Sequence, residues 1–174
     1  MKRILFLLAF FAALGLAARP TMAQTVYVQG GASFPSSSAN LSDNYKAGFN
    51  AGIGIGFPIV NQLEGVIRGH VDRFENDRSG VPNFVSYSGT SNLKLNGPMV
   101  SNRVMPYALA GGGVFRLGSE DAYETEFGLQ FGVGIGIQTS PRVNLTIEPN
   151  YILVFTEGDD TQYFPVRVGA SFAL

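Results

Sequence analysis

The chain has no cysteine and no tryptophan, and a single histidine in 174 residues. Without cysteine there is no disulfide framework, no thiolate metal site, no cysteine nucleophile and no lipid-modified cysteine. Charge is scarce, with 12 Lys+Arg and 13 Asp+Glu. No basic stripe is present, so nucleic acid is not an expected partner. Beyond residue 23 there is no second long apolar run and no stretch of helical period, which leaves no spanning helix to build. The glycine repeats at 52–56 and 132–136 are not followed by a helix, so they are not phosphate loops. No cofactor is implied.

What is present falls into two arrangements. Residues 1–23 read as a secretory signal peptide: Lys2 and Arg3 begin it, 4–18 are apolar, and Thr21 and Ala23 supply small residues before Gln24. The apolar run is shorter than the ~20 residues of a spanning helix. Cleavage removes Lys2, Arg3 and Arg19 but no acid, leaving 24–174 as one domain with an acidic excess.

The remainder alternates with a period of two, as β-strands do. The terminal residues Arg167-Val-Gly-Ala-Ser-Phe-Ala-Leu174 are the plainest case. Phe164, Val166, Val168, Ala170, Phe172 and Leu174 share one face, and Arg167, Gly169, Ser171 and Ala173 share the other. Seven earlier segments behave alike: 25–34, 47–57, Leu63–Phe74, Phe84–Asn96, 106–117, 126–138 and 143–155. In the second, Phe49, Ile53, Ile55 and Phe57 oppose Asn50, Gly52, Gly54 and Gly56. In the sixth, Phe127, Leu129, Phe131, Val133 and Ile135 oppose Gly128, Gln130, Gly132, Gly134 and Gly136. The fifth sets Tyr107, Leu109, Phe115 and Leu117 against Ala108, Ala110, Gly112 and Arg116, which puts its large residues on the apolar face.

This pattern predicts an all-β fold, an eight-stranded antiparallel up-and-down transmembrane β-barrel. Most segments are long enough to cross a bilayer as tilted strands, which takes ~9–11 residues. Eight strands make the smallest such barrel, and closure removes edges that lipid would leave unpaired. A soluble ligand-binding barrel would carry its apolar face inside. Here the glycine-rich faces of the second and sixth segments suit a narrow interior, where glycine makes room for neighbouring side chains. Aromatics fit interfacial girdles, with Tyr107, Phe57 and Phe172 toward the periplasm and Phe34, Tyr45, Phe155 and Tyr163 toward the outside. Pro149 and Pro165 each remove a ladder donor, so a local irregularity is expected there. Loop acids gather at one end: Asp43; Glu75 and Asp77; Glu120, Asp121 and Glu124; Glu157, Asp159 and Asp160.

On three stretches, Pro106-Tyr-Ala-Leu-Ala-Gly-Gly-Gly113, the 127–136 strand and the terminal strand, the chain resembles a known family. This is the small outer-membrane β-barrel family that includes the OmpA membrane domain and OmpX. The resemblance implies insertion into the outer membrane of a Gram-negative-type bacterium, among lipid and lipopolysaccharide. It also implies that the barrel-assembly machinery reads the last strand through Arg167, Gly169, Phe172 and Leu174. The family most often ends in Phe where Leu174 stands.

The glycine-bearing face also holds Glu64, Arg68, His70, Asp72, Lys94, Arg116, Glu126, Glu148 and Arg167. An unpaired charge in so narrow an interior is strongly unfavourable, so an ion-pair network is expected, with Arg68, Glu148 and Arg167 meeting near mid-barrel. Lipid A deacylases of similar architecture use an outward histidine with a serine on the same strand. His70 shares the charged face and its segment has no serine, so catalysis is not expected. Glu157-Gly-Asp-Asp-Thr-Gln162 lacks the spacing of a calcium loop and reads as a solvated hairpin. The expected function is a non-enzymatic barrel with a structural or surface-interaction role toward an unknown ligand. The alternative is a narrow passive pore for small solutes or ions.

Overall fold

The computed structural model describes residues 24–36, 45–76, 82–119 and 122–174. The signal segment 1–23 and the loop acids Asp43, Asp77, Glu120 and Asp121 lie outside the described residues. Eight strands follow in order: β1 (Thr25–Pro35), β2 (Gly48–Val60), β3 (Leu63–Phe74), β4 (Phe84–Asn96), β5 (Val104–Ser119), β6 (Ala122–Ser140), β7 (Val143–Val154) and β8 (Thr161–Ala173). Each pairs antiparallel with the next, and β1 with β8, which closes the barrel. Among the described residues no helix is long and apolar enough to cross a membrane. The crossing elements are the strands.

Short connections join β2 to β3 through Asn61 and Gln62, and β6 to β7 through Pro141 and Arg142. The β4–β5 turn holds Ser101 and Asn102 at φ 54° and 56°, a left-handed conformation that asparagine tolerates better than most residues. Both ends of the described chain lie at this end of the barrel, since an even number of up-and-down strands returns the chain to its starting side. The described acids Glu75, Glu124, Glu157, Asp159 and Asp160 lie toward the other end. There Gly158 takes φ +96° between β7 and β8, a conformation suited to glycine.

β3 and β4 coincide with the alternating segments, whereas β5 and β6 outrun theirs at 16 and 19 residues. Their outer ends pair with each other from Phe115↔Glu126 to Ser119↔Ala122, while β7 leaves β6 at Gly128↔Val154. Arg116, Glu124 and Thr125 interrupt the apolar alternation there, which is why the sequence pattern stops short of the hairpin's end. The ladder is interrupted at Pro149, between Pro149↔Val166 and Ile152↔Tyr163 on the β8 side and between Gly132↔Asn150 and Ile135↔Ile147 on the β6 side. Pro165 lies in that same interrupted stretch on its β7 side, while it keeps its pairing with Ser33 in the β1–β8 register. The register shifts lie elsewhere, at Pro58/Val60 and Gln138/Ser140.

The outer surface is apolar: Ile53 is 67% exposed, Val133 59% and Val168 55%, while Glu148 and Arg167 are fully buried. Water would not tolerate that arrangement over so wide a band, but a bilayer requires it. Inside, two strands give up their side-chain volume to their neighbours. A Cβ at Gly52 would strike the His70 ring, one at Gly54 would sit 2.8 Å from the Arg68 side chain, and one at Gly56 would strike the Glu64 carboxylate. On β6, a Cβ at Gly128 would lie 2.8 Å from the Phe115 ring, and one at Gly134 2.5 Å from that of Tyr107.

This volume rule reverses the reading of β5. Tyr107, Leu109, Phe115 and Leu117 face the interior and are buried, while Ala108, Ala110 and Arg116 face outward. In register, Tyr107 opposes Gly134 and Leu109 opposes Gly132. Had β5 turned its small residues inward, two small-residue faces would have lain side by side over a void, and cavities are destabilising. Two girdle assignments change likewise: Tyr107 and Tyr163 are interior residues, 5% and 0% exposed. Tyr45 packs with Phe84 against the outer interior cluster. Phe34, Phe155 and Phe172 are outward, at 43%, 42% and 39% exposure.

Gly134→Leu is expected to destabilise the barrel by about 1–3 kcal/mol, the usual range for overpacking. Gly89→Ala should be near neutral, because a Cβ there meets nothing within 4 Å. Urea unfolding of both variants in phospholipid vesicles, read by heat-modifiable gel mobility, makes the comparison.

Candidate functional site

Among the described residues, the buried charged side chains gather in the interior. Its polar groups fall into three layers, stacked from the end that holds both ends of the described chain. In the first, the Tyr27 hydroxyl donates to both Glu64 oxygens at 2.8 Å. Lys94 Nζ donates to Tyr27 at 2.9 Å and to Glu64 at 3.3 Å. The same ammonium lies over the Tyr27 and Tyr107 rings, 4.9 and 4.5 Å from their centroids, a cation–π cage.

The second layer is built on Glu148 of β7. Arg68 Nη1 and Nη2 donate to its two oxygens at 2.5 and 3.0 Å, the bidentate geometry that makes arginine–carboxylate pairs strong. Tyr107 donates to Glu148 Oε2 at 3.0 Å and Asn150 to Oε1 at 3.1 Å. Gln130 then donates to Asn150 at 2.8 Å. The carboxylate thus accepts from four donors and is fully buried.

In the third layer, Ser33 donates to Asp72 Oδ1 at 2.6 Å and Asn50 donates to Ser33 at 3.0 Å. Arg167 stands across from Glu148 in the β7–β8 register. Its guanidinium lies within electrostatic reach of Asp72 and Glu148, but its nitrogens have no hydrogen-bond partner among the described residues. It therefore joins the second and third layers through charge rather than through contact. Above them the interior turns apolar. Phe74, Phe115, Leu117, Ile152, Val154 and Tyr163 form one cluster, each at most 4% exposed. Phe74 meets Tyr163 edge-on at 5.4 Å, and the Tyr163 hydroxyl lies 3.1 Å from that of Ser86.

Of the nine candidates, Glu64, Arg68, His70, Asp72, Lys94, Glu148 and Arg167 are inward and buried. Arg116 is not a lumen residue: the reversed parity of β5 puts it outside, 4.7 Å from the Tyr123 ring. Glu126 has inward parity but lies on the part of β6 beyond β7, half-buried and apart from the network. In the last strand, Arg167 points into the lumen, while Phe172 and Leu174 are exposed outward. Sequence reasoning passed over Tyr27, Tyr107, Asn150 and Ser33. The parity of Tyr27, opposite Val26 and Val28, was a usable signal, whereas Tyr107 and Tyr163 were masked by being counted as apolar.

His70 lies over Gly52, and Ser88 stands across from it in the β3–β4 register. Neither ring nitrogen has a hydrogen-bond partner among the described residues, so the two do not form the hydrogen-bonded pair that activates a serine. The Glu157–Asp160 segment is organised by a Thr156 hydroxyl donating to the Asp159 carbonyl at 2.6 Å. Among the described residues no group of three or more His, Asp or Glu is placed to hold a metal ion.

Glu148→Ala is expected to cost about 3–5 kcal/mol, because it strands the buried Arg68 charge. The double change Arg68→Met with Glu148→Leu should cost clearly less than the sum of the two single changes. A double-mutant cycle measured by urea unfolding checks this, and simple additivity would mean that the two side chains are not coupled.

The family profile described as outer membrane protein beta-barrel domain matches residues 6–172. No curated protein sequence matches the chain. Among solved structures, the neisserial surface protein NspA aligns at a TM-score of 0.69 and 20% identity, covering 87% of this chain and 97% of its own. The N-terminal β-barrel domain of OprF from Pseudomonas aeruginosa aligns at 0.59 and 12%, covering 87% of this chain and 97% of its own. OprG from the same organism aligns at 0.58 and 11%, covering 88% and 97%. At these identities the likeness is one of fold, and it agrees with the closed eight-stranded sheet. With the profile spanning almost the whole sequence, the chain belongs to the outer membrane protein beta-barrel domain family, as an integral barrel of the Gram-negative outer membrane.

Proposed function

We propose that this protein is a non-enzymatic, non-conducting barrel that anchors its outer connections at the cell surface for structural or binding roles. One observation carries the reading: beyond the polar hollow at the end that holds the termini, buried charged side chains and then an apolar cluster span the interior. Three layers of compensated charge occupy its lower part, and the apolar cluster around Phe74, Phe115 and Tyr163 closes the part above them. An ion moving through would have to break the Arg68–Glu148 pair and then shed its hydration among aromatic rings, both strongly unfavourable. What remains available to partners is the outer end, where the β5–β6 hairpin extends past β7 and Glu157, Asp159 and Asp160 lie.

Two further assignments accompany this reading. Residues 1–23 are the export signal, and intact-mass measurement of the mature protein is expected to show a chain beginning at Gln24. The last strand, through Arg167, Gly169, Phe172 and Leu174, is the segment that the assembly machinery engages. The polar hollow at the periplasmic end, about 210 Å³ and floored by Tyr27, Glu64 and Lys94, is the feature that favours the pore alternative.

Single-channel recording on the refolded barrel in a planar bilayer decides between them. Silence is expected from a barrel whose heat-modifiable mobility shows that it is folded. A steady conductance that changes with Arg68→Ala or Glu148→Ala would replace the scaffold with a narrow pore.

A further inference from the structure

Of the charged side chains on the eight strands, all but two have inward parity. Arg73 on β3 and Arg116 on β5 face outward and are exposed. Both stand at the outer end of the apolar band. Among the described residues their close partners are rings rather than acids: Phe49 at 6.0 Å from Arg73 and Tyr123 at 4.7 Å from Arg116. In register, Arg116 lies beside Tyr87, and Arg73 lies beside Val85 two positions further out. Two strand spacings put them about 10 Å apart across the sheet.

Beside Arg116 the lipid face carries a shallow, open depression. A groove of about 860 Å³ opens there on the outer surface. Ile53, Gly69, Gly89 and Val114 form one continuous cross-strand row along it. Val71, Tyr87 and Arg116 form the next row outward. The floor glycines differ in kind from the interior ones. A Cβ on Gly89 would meet nothing within 4 Å, and one on Gly69 only the Ser88 carbonyl at 3.9 Å. Among the described residues no side chain reaches within 4 Å of the place a Cβ would take at either glycine, although β-branched residues would ordinarily suit such positions better.

We propose that this groove seats an acyl chain of a phosphorylated glycolipid of the outer leaflet, lipopolysaccharide, with Arg116 and Arg73 holding its phosphates. The apolar floor matches hydrocarbon. The guanidinium pair, set where the apolar band ends, matches phosphate groups at headgroup depth, where outward arginine is tolerated. A zwitterionic phospholipid offers one phosphate already balanced by its own cation, so it complements the pair less well. The proposal rests on the barrel's place in the outer membrane and is independent of whether the lumen conducts.

Native mass spectrometry of the refolded barrel, titrated in detergent with purified lipopolysaccharide, its dephosphorylated form and phosphatidylcholine, tests it. The wild type should retain lipopolysaccharide in preference to the other two. Arg73→Ala with Arg116→Ala should weaken that binding about thirtyfold, the usual contribution of two basic residues near anionic lipid. Gly89→Leu, which fills the groove without touching the arginines, should weaken it as well, and heat-modifiable mobility shows that each variant has folded. Wild-type binding in both variants, or equal retention of phosphatidylcholine, would overturn the site. A wild-type chain that failed to insert into vesicles at all would overturn the membrane placement itself, and the site with it.

Discussion

The interior of an eight-stranded barrel is about as wide as the side chains that fill it. A large inward residue therefore needs a small one across from it, and the rest of this structure follows from how that condition is met. β2 and β6 present glycine to the lumen. β3 lays His70, Arg68 and Glu64 over β2, and β5 lays Phe115 and Tyr107 over β6. Glycine weakens a strand taken alone. Here it is what allows the charged groups to approach one another closely enough to pair.

Once seated, those groups must balance electrically, because little water reaches them. The buried interior holds three acids, Glu64, Asp72 and Glu148, and three bases, Lys94, Arg68 and Arg167. Tyrosine binds the layers into one unit. Tyr27 hydrogen-bonds Glu64 and accepts from Lys94 while its ring lies 5.3 Å from the Arg68 guanidinium. Tyr107 reaches from the Lys94 cage to Glu148. The acids and bases come from β3, β4, β7 and β8, so the network ties distant parts of the sheet across the lumen. Such a network favours one registration of the closed sheet over its neighbours, since a one-residue slip would turn the charges into lipid.

Most of the fold could be read directly from the sequence, because alternation in a membrane strand is enforced on one face by lipid. β3 and β4, most of whose inward residues are polar, coincide with the segments read from the sequence to the residue. β5 was read with the wrong face inward. Its large and small residues alternate cleanly, but hydrophobicity cannot tell a leucine that faces lipid from one that fills a lumen. The deciding information lay in another strand: a run of inward glycines on β6 requires volume beside it. The misplacement of Arg116 follows from that same inversion. The apolar cap escaped notice for a related reason, since Phe74, Ile152 and Val154 have the parity of Asp72 and Glu148 but not their chemistry. The network itself could be anticipated only as a set of charges, because which of them pair depends on the tilt and register of strands far apart in sequence.

The same volume condition sorts the glycines into two classes, and the sorting separates what the barrel does for itself from what it offers to others. A glycine beneath a neighbour's side chain is accounted for by the fold. Gly69 and Gly89 are not, because they face lipid with open space above them. The two outward arginines are equally unaccounted for by the interior, which is balanced without them. A bare floor, and cations whose close partners among the described residues are rings, fit together on one stretch of lipid face if the surrounding leaflet supplies both hydrocarbon and negative charge. The interior is thus self-sufficient in volume and charge, while this stretch of the exterior is complete only with its membrane.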